Sequence, residues 1–392
     1  MLRILLLILT ALVARAEVAP PPHKLWKFPT EGVAFDTRFA GSRVNECTRL
    51  GPAEYAVVTR PENVPINNSP WFAFKVIAAA QRTIVVRLRC EDGTWRYTPK
   101  ISTDGVRWVT MPAEAFERGT VETEATLRLE VGPEPLWVAA QELVSVESME
   151  AWMRTLERLP FVTRSTIGKS RLGVPLYRLD LGPANRARHV VIIGRQHPPE
   201  TTGSLALMRF VETICGDSEL ARTFRSEFHV ALMPLLNPDG VNGGHWRHST
   251  GGTDLNRDWQ KFAQPETRAV RDQILALRDH GRIFLHLDFH STFHDVFYTQ
   301  RDEQPTSPAG FTASWIEAIQ RRFPDYKAER SANPKPTPTT SMYWAHHTLG
   351  IPAITYELGD KTDRALLAQI ATGAAEEMMK LLLALKDDAR PQ

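Results

Sequence analysis

A histidine and a glutamate stand three positions apart just after a run of apolar residues. His197 and Glu200 lie in GRQHPPETTG, which follows HVVIIG, a segment with the apolar character of a buried strand. Pro198 and Pro199 stiffen the chain between them. A second histidine, His290, ends another apolar run, RIFLHLDFH. Two imidazoles and one carboxylate form a ligand set of catalytic zinc sites, so the sequence indicates a site for one Zn²⁺.

The spacing of His197 and Glu200 is a weak indication by itself, because it often arises by chance. Its context strengthens it, since strand and helix patterns alternate through this half of the chain. The strands HVVIIG, FHVALMPLL, RIFLHLDFH and PAITYELG are separated by helical patterns near 203–215, 265–280 and 311–322, and a last helix follows near 364–386. This alternation predicts an α/β fold with a mixed, mainly parallel sheet flanked by helices. Ligands of such sheets sit beyond the carboxyl ends of the strands, where His197, Glu200, His290 and Glu357 fall.

The segment between about 65 and 145 has short strand patterns and no helical periodicity. Runs such as WFAFKVIA, TIVVRLRC and TLRLEV are separated by turn sequences such as EDGT, STDG and GPEP. Short strands at this spacing predict an antiparallel β-sandwich. Ser145 is a candidate N-cap for a helix over 147–159. We therefore predict an N-terminal β-sandwich domain over 17–145 and a second domain over 146–387.

The first 16 residues have the pattern of a secretory signal peptide. Arg3 precedes an apolar run, and Ala14-Arg15-Ala16 is a small-x-small cleavage sequence. The run is about ten residues long, whereas a membrane span needs about 20, so an N-terminal anchor is the weaker alternative. We predict cleavage after residue 16, export as a secreted or periplasmic protein, and no membrane span in the mature chain.

The composition excludes several classes of partner and site. Without residues 1–16 the chain has 45 basic and 45 acidic residues, so its charge gives no reason to expect nucleic acid as a partner. Three cysteines are too few for a cysteine-rich zinc site. Export permits a disulfide, for which Cys47 and Cys90 are the candidate pair, whereas Cys215 fits a buried free thiol. The sequence makes no prediction for the oligomeric state.

Five segments, in chain order, resemble the signature segments of the zinc metallocarboxypeptidases of the carboxypeptidase A superfamily. They are HPPETTGS, LLNPDG, HWRHSTGGTDLNRDW, DFHS and TYELGD. The resemblance covers about 160–360 by motif and most of 60–385 by layout. It is greatest to the cytosolic carboxypeptidase subfamily, whose members also carry a β-sandwich ahead of the catalytic domain.

The resemblance implies a role for each polar residue of these segments. His197, Glu200 and His290 resemble the zinc ligands. Glu357 resembles the general base that activates water and later protonates the leaving amine, although a buried structural carboxylate is the alternative. Arg247 resembles the residue that polarises the scissile carbonyl group.

The segment DLNRDW carries further residues that the resemblance assigns. Asn256 and Arg257 resemble the pair that binds the free C-terminal carboxylate of a peptide, which a guanidinium can hold through two hydrogen bonds. Asp254 resembles the carboxylate that fixes the tautomer of His197. Taken singly, these loop residues could be ordinary surface residues, but their joint order favours the catalytic interpretation.

Two positions depart from the family pattern. Many members supply a tyrosine from a loop that SANPKPTPTTSMYW replaces here, and Tyr343 falls beside the side-chain pocket instead of at the matching place. Fifteen positions before Glu357 stands Met342, where cytosolic carboxypeptidases that remove glutamate have arginine. Methionine cannot pair with a carboxylate, so we expect an apolar or unselective pocket for the terminal side chain. The alternative is that Arg330 or Lys335 supplies a charge there.

The sequence therefore predicts an exported, zinc-dependent metallocarboxypeptidase that hydrolyses the C-terminal peptide bond of peptides with a free carboxylate. Two alternatives stay open. An exported enzyme of this kind could trim the peptides of a cell wall, which contain D-residues. A non-catalytic module that binds peptides or glycans is the other alternative, and it predicts damage to the catalytic set, which the sequence does not show.

Overall fold

The computed structural model describes residues 23–183, 185–332 and 337–385. The predicted signal peptide over 1–16 lies outside the described residues. So do the last two residues of the predicted second domain, 386–387.

The N-terminal part is built from eleven short strands in two sheets. The strands are β1 Leu25–Phe28, β2 Val33–Asp36, β3 Glu46–Gly51, β4 Glu54–Thr59, β5 Ala73–Ala78, β6 Arg82–Cys90, β7 Lys100–Ser102, β8 Val109–Thr110, β9 Phe116–Arg118, β10 Glu124–Val131 and β11 Leu136–Ala139, with a 3-10 helix at Ala113–Ala115. One sheet has the order β1-β2-β5-β11-β7-β8 and the other has the order β3-β4-β6-β10-β9. Side chains from both sheets, such as Phe35, Phe74, Val86 and Leu127, share one core. The sandwich is antiparallel apart from the parallel pair β4 and β6.

The first four strands lie before the predicted strand patterns. β4 alternates buried Tyr55, Val57 and Thr59 with half-buried residues and has the period of two that identifies a strand, whereas β1, β2 and β3 carry little such pattern. The strands β1 and β2 have four residues each, and β3 exposes most of its side chains. Such strands are stabilised by pairing with their neighbours rather than by their own hydrophobic alternation. The predicted runs WFAFKVIA, TIVVRLRC and TLRLEV correspond to β5, β6 and β10.

The rest of the described chain alternates strands and helices. The elements are α1 Val146–Leu156, β12 Val162–Lys169, β13 Pro175–Leu181, β14 Arg188–Gly194, α2 Thr201–Cys215, α3 Glu219–Glu227, β15 His229–Met233, α4 Pro238–Asn242, a 3-10 helix at Leu255–Arg257, α5 Pro265–His280, β16 Arg282–Thr292, β17 Val296–Thr299, α6 Phe311–Arg322, β18 Glu329–Ala332, α7 Ser341–Leu349, β19 Ala353–Gly359 and α8 Arg364–Leu383. Ser145 caps α1 as predicted, because its Oγ accepts a hydrogen bond from the backbone N of Ser148 at 3.1 Å.

One mixed sheet of eight strands forms the centre of this half, in the order β12-β13-β15-β14-β16-β19-β17-β18. The four central strands β15, β14, β16 and β19 are parallel to one another. Their carboxyl ends therefore share one edge, as the prediction requires. The fold class is confirmed: a mainly parallel sheet flanked by helices, with a β-sandwich ahead of it.

Helices cover both faces of this sheet. Along β14, Val190 and Ile192 pack into the core under α1, α2, α3, α6 and α8, whereas Val191 and Ile193 pack toward α5. Strand residues alternate between faces, so a strand buried on both sides is apolar at every position. This is why HVVIIG has no polar alternation. In the described part of the chain, no helix combines the length and apolar character that crossing a bilayer requires.

The disulfide considered between Cys47 and Cys90 is not formed, and both thiols are free and buried. The strand β4 separates them, since Cys47 is paired with Val57 on one side of β4 and Cys90 with Thr59 on the other. Two strand spacings are about 9 to 10 Å, which exceeds the span of about 7 Å that a disulfide tolerates. Cys215 is a buried free thiol, as expected.

Candidate active site

The predicted metal ligands meet at the carboxyl ends of the central strands. His197 Nδ1 lies 2.8 Å from Glu200 Oε1 and 3.2 Å from His290 Nδ1, and His290 Nδ1 lies 2.7 Å from Glu200 Oε2. Donor atoms around a tetrahedral Zn²⁺ at about 2.0 Å lie roughly 3.3 Å apart. The donor atoms of these three side chains all lie within 4.8 Å of one another. Among the described residues, this is the one group of three or more histidine, cysteine or acidic side chains that could hold a metal ion. Its three side chains are buried.

A carboxylate faces the second ring nitrogen of each histidine. Asp254 Oδ1 lies 2.9 Å from Nε2 of His197, and Asp288 Oδ2 lies 3.0 Å from Nε2 of His290. A ring that donates its Nε2 proton to a carboxylate keeps the Nδ1 lone pair for a metal. The donor set therefore fits a zinc ion. Asp254 was predicted from the sequence and Asp288 was not, although a spacing of two on a strand puts Asp288 and His290 on one face.

The start of α2 allows Glu200 to approach His290 closely. Glu200 is the N-cap residue of α2, and Gly203 follows in the first turn. A Cβ atom at Gly203 would lie 2.4 Å from the carbonyl oxygen of His290, so the helix can begin this close to β16 only with glycine there. The backbone N of Gly203 donates to Ser291 Oγ at 2.7 Å and ties the helix to the strand.

Glu357 stands beside His290 on the neighbouring strand, as its direct partner in the pairing of β16 with β19. Burial, and then the charge of Glu200, raise the pKa of the Glu357 carboxyl to about 7. Its Oε2 has no hydrogen-bond partner in the described part of the protein. Burial also acts to raise the pKa of the Glu200 carboxyl. The neighbouring His197 and His290 outweigh burial and hold this pKa well below its usual value. Two carboxyl groups whose pKa values are driven apart suit two roles, a permanent anion and a group that takes and returns a proton.

The polar loop between α4 and α5 supplies three residues predicted to contact substrate. Arg247 donates through Nε to Asp254 Oδ2 at 2.7 Å. Asn256 Oδ1 accepts from the backbone N of Ser341 at 2.9 Å, which leaves its Nδ2 group without a partner among the described residues. The exposed Arg257 donates through Nη1 to the carbonyl oxygen of Asn256 at 2.8 Å, and the rest of its guanidinium makes no hydrogen bond with the described residues.

These side chains face one cleft of about 470 Å³. Its lining includes His197, Glu200, Arg247, Asn256, Arg257, Met342 and Glu357. His290 and Asp254 lie behind this surface and hold the lining residues in place. The structure thus brings all the predicted site residues to one place, and the polar loop contributes Arg247, Asn256 and Arg257 to the cleft lining.

One wall of the cleft has no charged side chain among the described residues. Met342 on α7 packs against Ala353 of β19, and Thr355 follows two positions later on the same strand. Thr340, the N-cap residue of α7, and Thr337 also line the cleft. Elsewhere, Arg330 forms an ion pair with Asp302 and is not part of the lining. Lys335, the other candidate charge, lies outside the described residues.

The cleft also contains a tyrosine that the sequence analysis did not find. Tyr298, on the short strand β17, is the cross-strand partner of Thr355, and it lines the cleft. Tyr343 lies outside the lining, where its ring stacks on His347 with the centroids 5.5 Å apart. An apolar pattern of only four residues gives too little signal to place Tyr298 from sequence.

The sandwich also contributes to the cleft lining, through Asn67, Asn68, Ser69 and Arg96. Arg96 donates through Nε to Asp360 at 2.7 Å and through Nη2 to the carbonyl oxygen of Ser291 at 3.0 Å. It therefore joins the sandwich to the segment that follows His290. These residues belong to no motif, and only the folded chain brings them near the site.

Comparison with known proteins places the chain among the carboxypeptidases. A family model described as zinc carboxypeptidase matches residues 149–378. The chain is 23% identical to cytosolic carboxypeptidase 2 of Danio rerio over 302 residues, which cover 67% of this chain and 41% of the relative. It is 24% identical to cytosolic carboxypeptidase 6 of Caenorhabditis elegans over 307 residues, which cover 67% of this chain and 63% of the relative. The chain thus spans less than two thirds of the length of these curated relatives.

Solved structures show the same fold over most of the chain. A metallo-carboxypeptidase from Burkholderia cenocepacia is similar with a TM-score of 0.75 and 22% identity, covering 89% of this chain and 98% of that one. A metallo-carboxypeptidase from Pseudomonas aeruginosa is similar with a TM-score of 0.73 and 17% identity, with the same coverage of 89% and 98%. Because the family model matches more than half of the sequence, the chain belongs to the zinc carboxypeptidase family.

Proposed function

We propose that the protein is a zinc-dependent carboxypeptidase that hydrolyses the last peptide bond of peptides with a free C-terminal carboxylate. One observation carries the proposal: a His-Glu-His donor set, an unpartnered carboxyl group and two arginines converge on a single cleft. A module that only binds peptides or glycans does not require the buried Glu357 beside a metal site. The assembled catalytic set therefore favours an enzyme.

The substrate's carboxylate is proposed to bind Arg257 and Asn256. The guanidinium of Arg257 is largely free and can donate two parallel hydrogen bonds to a carboxylate. The Nδ2 group of Asn256 is also free, while Ser341 fixes its oxygen. An enzyme that requires this contact cleaves only at chain ends, since an internal peptide bond offers no carboxylate.

Bond cleavage is assigned to Arg247 and Glu357. Arg247 is held by Asp254 through Nε, and its Nη1 lies 3.8 Å from Glu200 Oε1 without a hydrogen bond. Its Nη groups can therefore donate to the scissile carbonyl oxygen as negative charge develops there. Glu357 takes a proton from the attacking water and passes it to the leaving amine. A zinc ion held by His197, Glu200 and His290 would supply Lewis-acid polarisation and a more acidic water.

The proposal is tested by digesting a mixture of L-peptides with the purified protein and following the products by mass spectrometry. We expect stepwise loss of single C-terminal residues, its abolition by a chelator, and its recovery when zinc is returned. Cell-wall peptides with D-residues are digested in parallel. Cleavage of those alone would replace the proposed substrate class, and cleavage of neither set would contradict the proposal.

The uncharged wall around Met342 predicts a preference for uncharged terminal side chains. Replacing Met342 by arginine places a guanidinium in this wall, so we expect the ratio of kcat/KM for terminal glutamate over terminal leucine to rise about 10- to 100-fold. Tyr343→Arg is the matched control, because it adds the same charge one residue along α7 but outside the cleft lining. An equal shift in both variants, or none in Met342→Arg, would contradict this placement of the pocket.

We also propose that the protein is exported and that cleavage follows residue 16. The support is the sequence of residues 1–16 alone, since they lie outside the described structure and the named relatives are cytosolic carboxypeptidases. N-terminal sequencing of the protein expressed from the full chain tests the proposal. A chain that begins at Glu17 outside the cytoplasm is expected, whereas an intact N-terminus on a cytoplasmic protein would contradict export.

A further inference from the structure

The segment that carries Arg247 is held by the N-terminal sandwich. The side chain of Trp246 is fully buried in the sandwich core. Its Nε1 donates to the carbonyl oxygen of Trp71 at 3.1 Å. A Cβ atom at Gly93 would lie 2.7 Å from the Trp246 ring, so the sandwich leaves room for this indole only with glycine at that position. The residue before Arg247 is thus part of the core of the other domain.

One carboxylate of the sandwich accepts three consecutive backbone N–H groups of this segment. Glu62 Oε2 accepts from the N of Trp246 at 2.6 Å. Glu62 Oε1 accepts from the N of Arg247 at 2.9 Å and from the N of His248 at 2.5 Å. Hydrogen bonds to an ionised acceptor are about twice as strong as neutral ones. The backbone on both sides of Arg247 is therefore fixed by a single side chain from a distant part of the sequence.

We infer that Glu62 is a positioning residue for the reaction, which fixes the backbone of Arg247 so that its guanidinium faces the carbonyl oxygen of the bond to be broken. The inference rests on the proposed function, because it requires Arg247 to act on the substrate. According to this inference, a residue of the sandwich contributes to catalysis by the second half of the chain.

Arg247 is held at both its backbone and its side chain. Its backbone N is bound by Glu62 and its Nε by Asp254. Nη1 lies 3.8 Å from Glu200 Oε1, which is beyond hydrogen-bond length, so the Nη groups can donate into the cleft. A donor to a developing oxyanion acts through its placement, and a displacement of about 1 Å can cost about 100-fold in rate. Loss of Glu62 removes the hydrogen bond that fixes the backbone N of Arg247, while Trp246 stays in the sandwich core and Asp254 still holds the side chain.

Other contacts join the two halves of the chain and are independent of Glu62. Arg96 pairs with Asp360 at 2.7 Å, and Arg364 pairs with Glu142 at 2.8 Å. The halves are therefore expected to stay docked when Glu62 is replaced. Glutamine at position 62 has one acceptor oxygen where glutamate has two, so at least one of the three N–H groups meets an NH₂ group instead of an acceptor.

A double-mutant cycle with Glu62→Gln and Arg247→Gln tests the inference, with kcat and KM measured on a free-acid peptide. We expect Glu62→Gln to lower kcat about tenfold or more with KM changed less than about threefold, because the lost contact matters in the transition state. In the Arg247→Gln background, Glu62→Gln is expected to lower kcat less than about twofold. A merely structural role for Glu62 would give the same loss in both backgrounds.

Zinc content and thermal unfolding are measured for each variant to show that the fold and the metal site persist. Glu142→Gln is the matched control, because it removes a carboxylate from another contact between the halves, and its kcat is expected to be unchanged. If Glu62→Gln does not fold, Glu62→Asp, which keeps the charge but shortens its reach, replaces it in the cycle. An unchanged kcat in the Glu62 variant, or an equal loss in both backgrounds, overturns the inference. If the single variant Arg247→Gln keeps the kcat of the wild-type protein, both the role proposed for Arg247 and the inference are wrong.

Discussion

Replacing Glu357 by glutamine is expected to lower kcat by about 10²- to 10⁴-fold, the range that positioned acid–base groups contribute, while the zinc content stays unchanged. Glutamine keeps the size of the side chain but cannot accept and return a proton. The zinc content is unaffected because the donor set comprises His197, Glu200 and His290 without Glu357. Steady-state kinetics and metal analysis of the same preparation give both numbers.

Glu266→Gln is the matched control for this prediction. Glu266 is also buried, burial also raises the pKa of its carboxyl, and one of its oxygens also lacks a partner in the described structure. It lies at the start of α5, outside the cleft lining. Its replacement is expected to leave kcat close to that of the wild-type protein. A Glu357→Gln variant that keeps most of its kcat would remove Glu357 from the proposed role.

For peptides with an amidated C-terminus, we expect kcat/KM to be lower by at least about 100-fold than for the same peptides with a free acid. The amide carries no negative charge for Arg257, and truncating one partner of a charged hydrogen-bonded pair costs about 2 to 5 kcal/mol. The measurement is kcat/KM for matched acid and amide peptides. Equal values for the two would reject cleavage from the chain end.

Arg257→Gln separates this contact from a general effect of the amide. The variant should lose kcat/KM on the free acid and discriminate little between acid and amide. The amide itself should be cleaved at a rate close to that of the wild-type protein. A variant that still discriminates as strongly as the wild-type protein would assign the carboxylate contact to another residue.

Much of the fold could be predicted because the signals are local. The helices over 265–280 and 311–322 have the predicted bounds, since apolar periodicity, a first-turn proline or a flanking glycine determines them within a few residues. The convergence of His197, Glu200 and His290 was also predictable. Apolar strands that alternate with helices predict a parallel sheet. In such a sheet, the residues that follow each strand lie together at one edge.

The contributions of the sandwich to the site could not be predicted in this way. Glu62 and Arg96 act on residues 184 and 264 positions away, at Trp246 and Asp360. No periodicity or motif predicts such a pairing, because it depends on how two hydrophobic cores pack against each other. The proposed pair of Cys47 and Cys90 was wrong for a related reason. The strand order that places β4 between them is a property of the whole sheet.

The central claim is that one zinc ion is held jointly by His197, Glu200 and His290. X-ray diffraction data collected on both sides of the zinc absorption edge, from crystals of the zinc-loaded protein, test it most directly. The account predicts a single anomalous peak at about 2 Å from the two Nδ1 atoms and from the carboxylate of Glu200. A peak elsewhere in the molecule, or none between these three side chains, would contradict it.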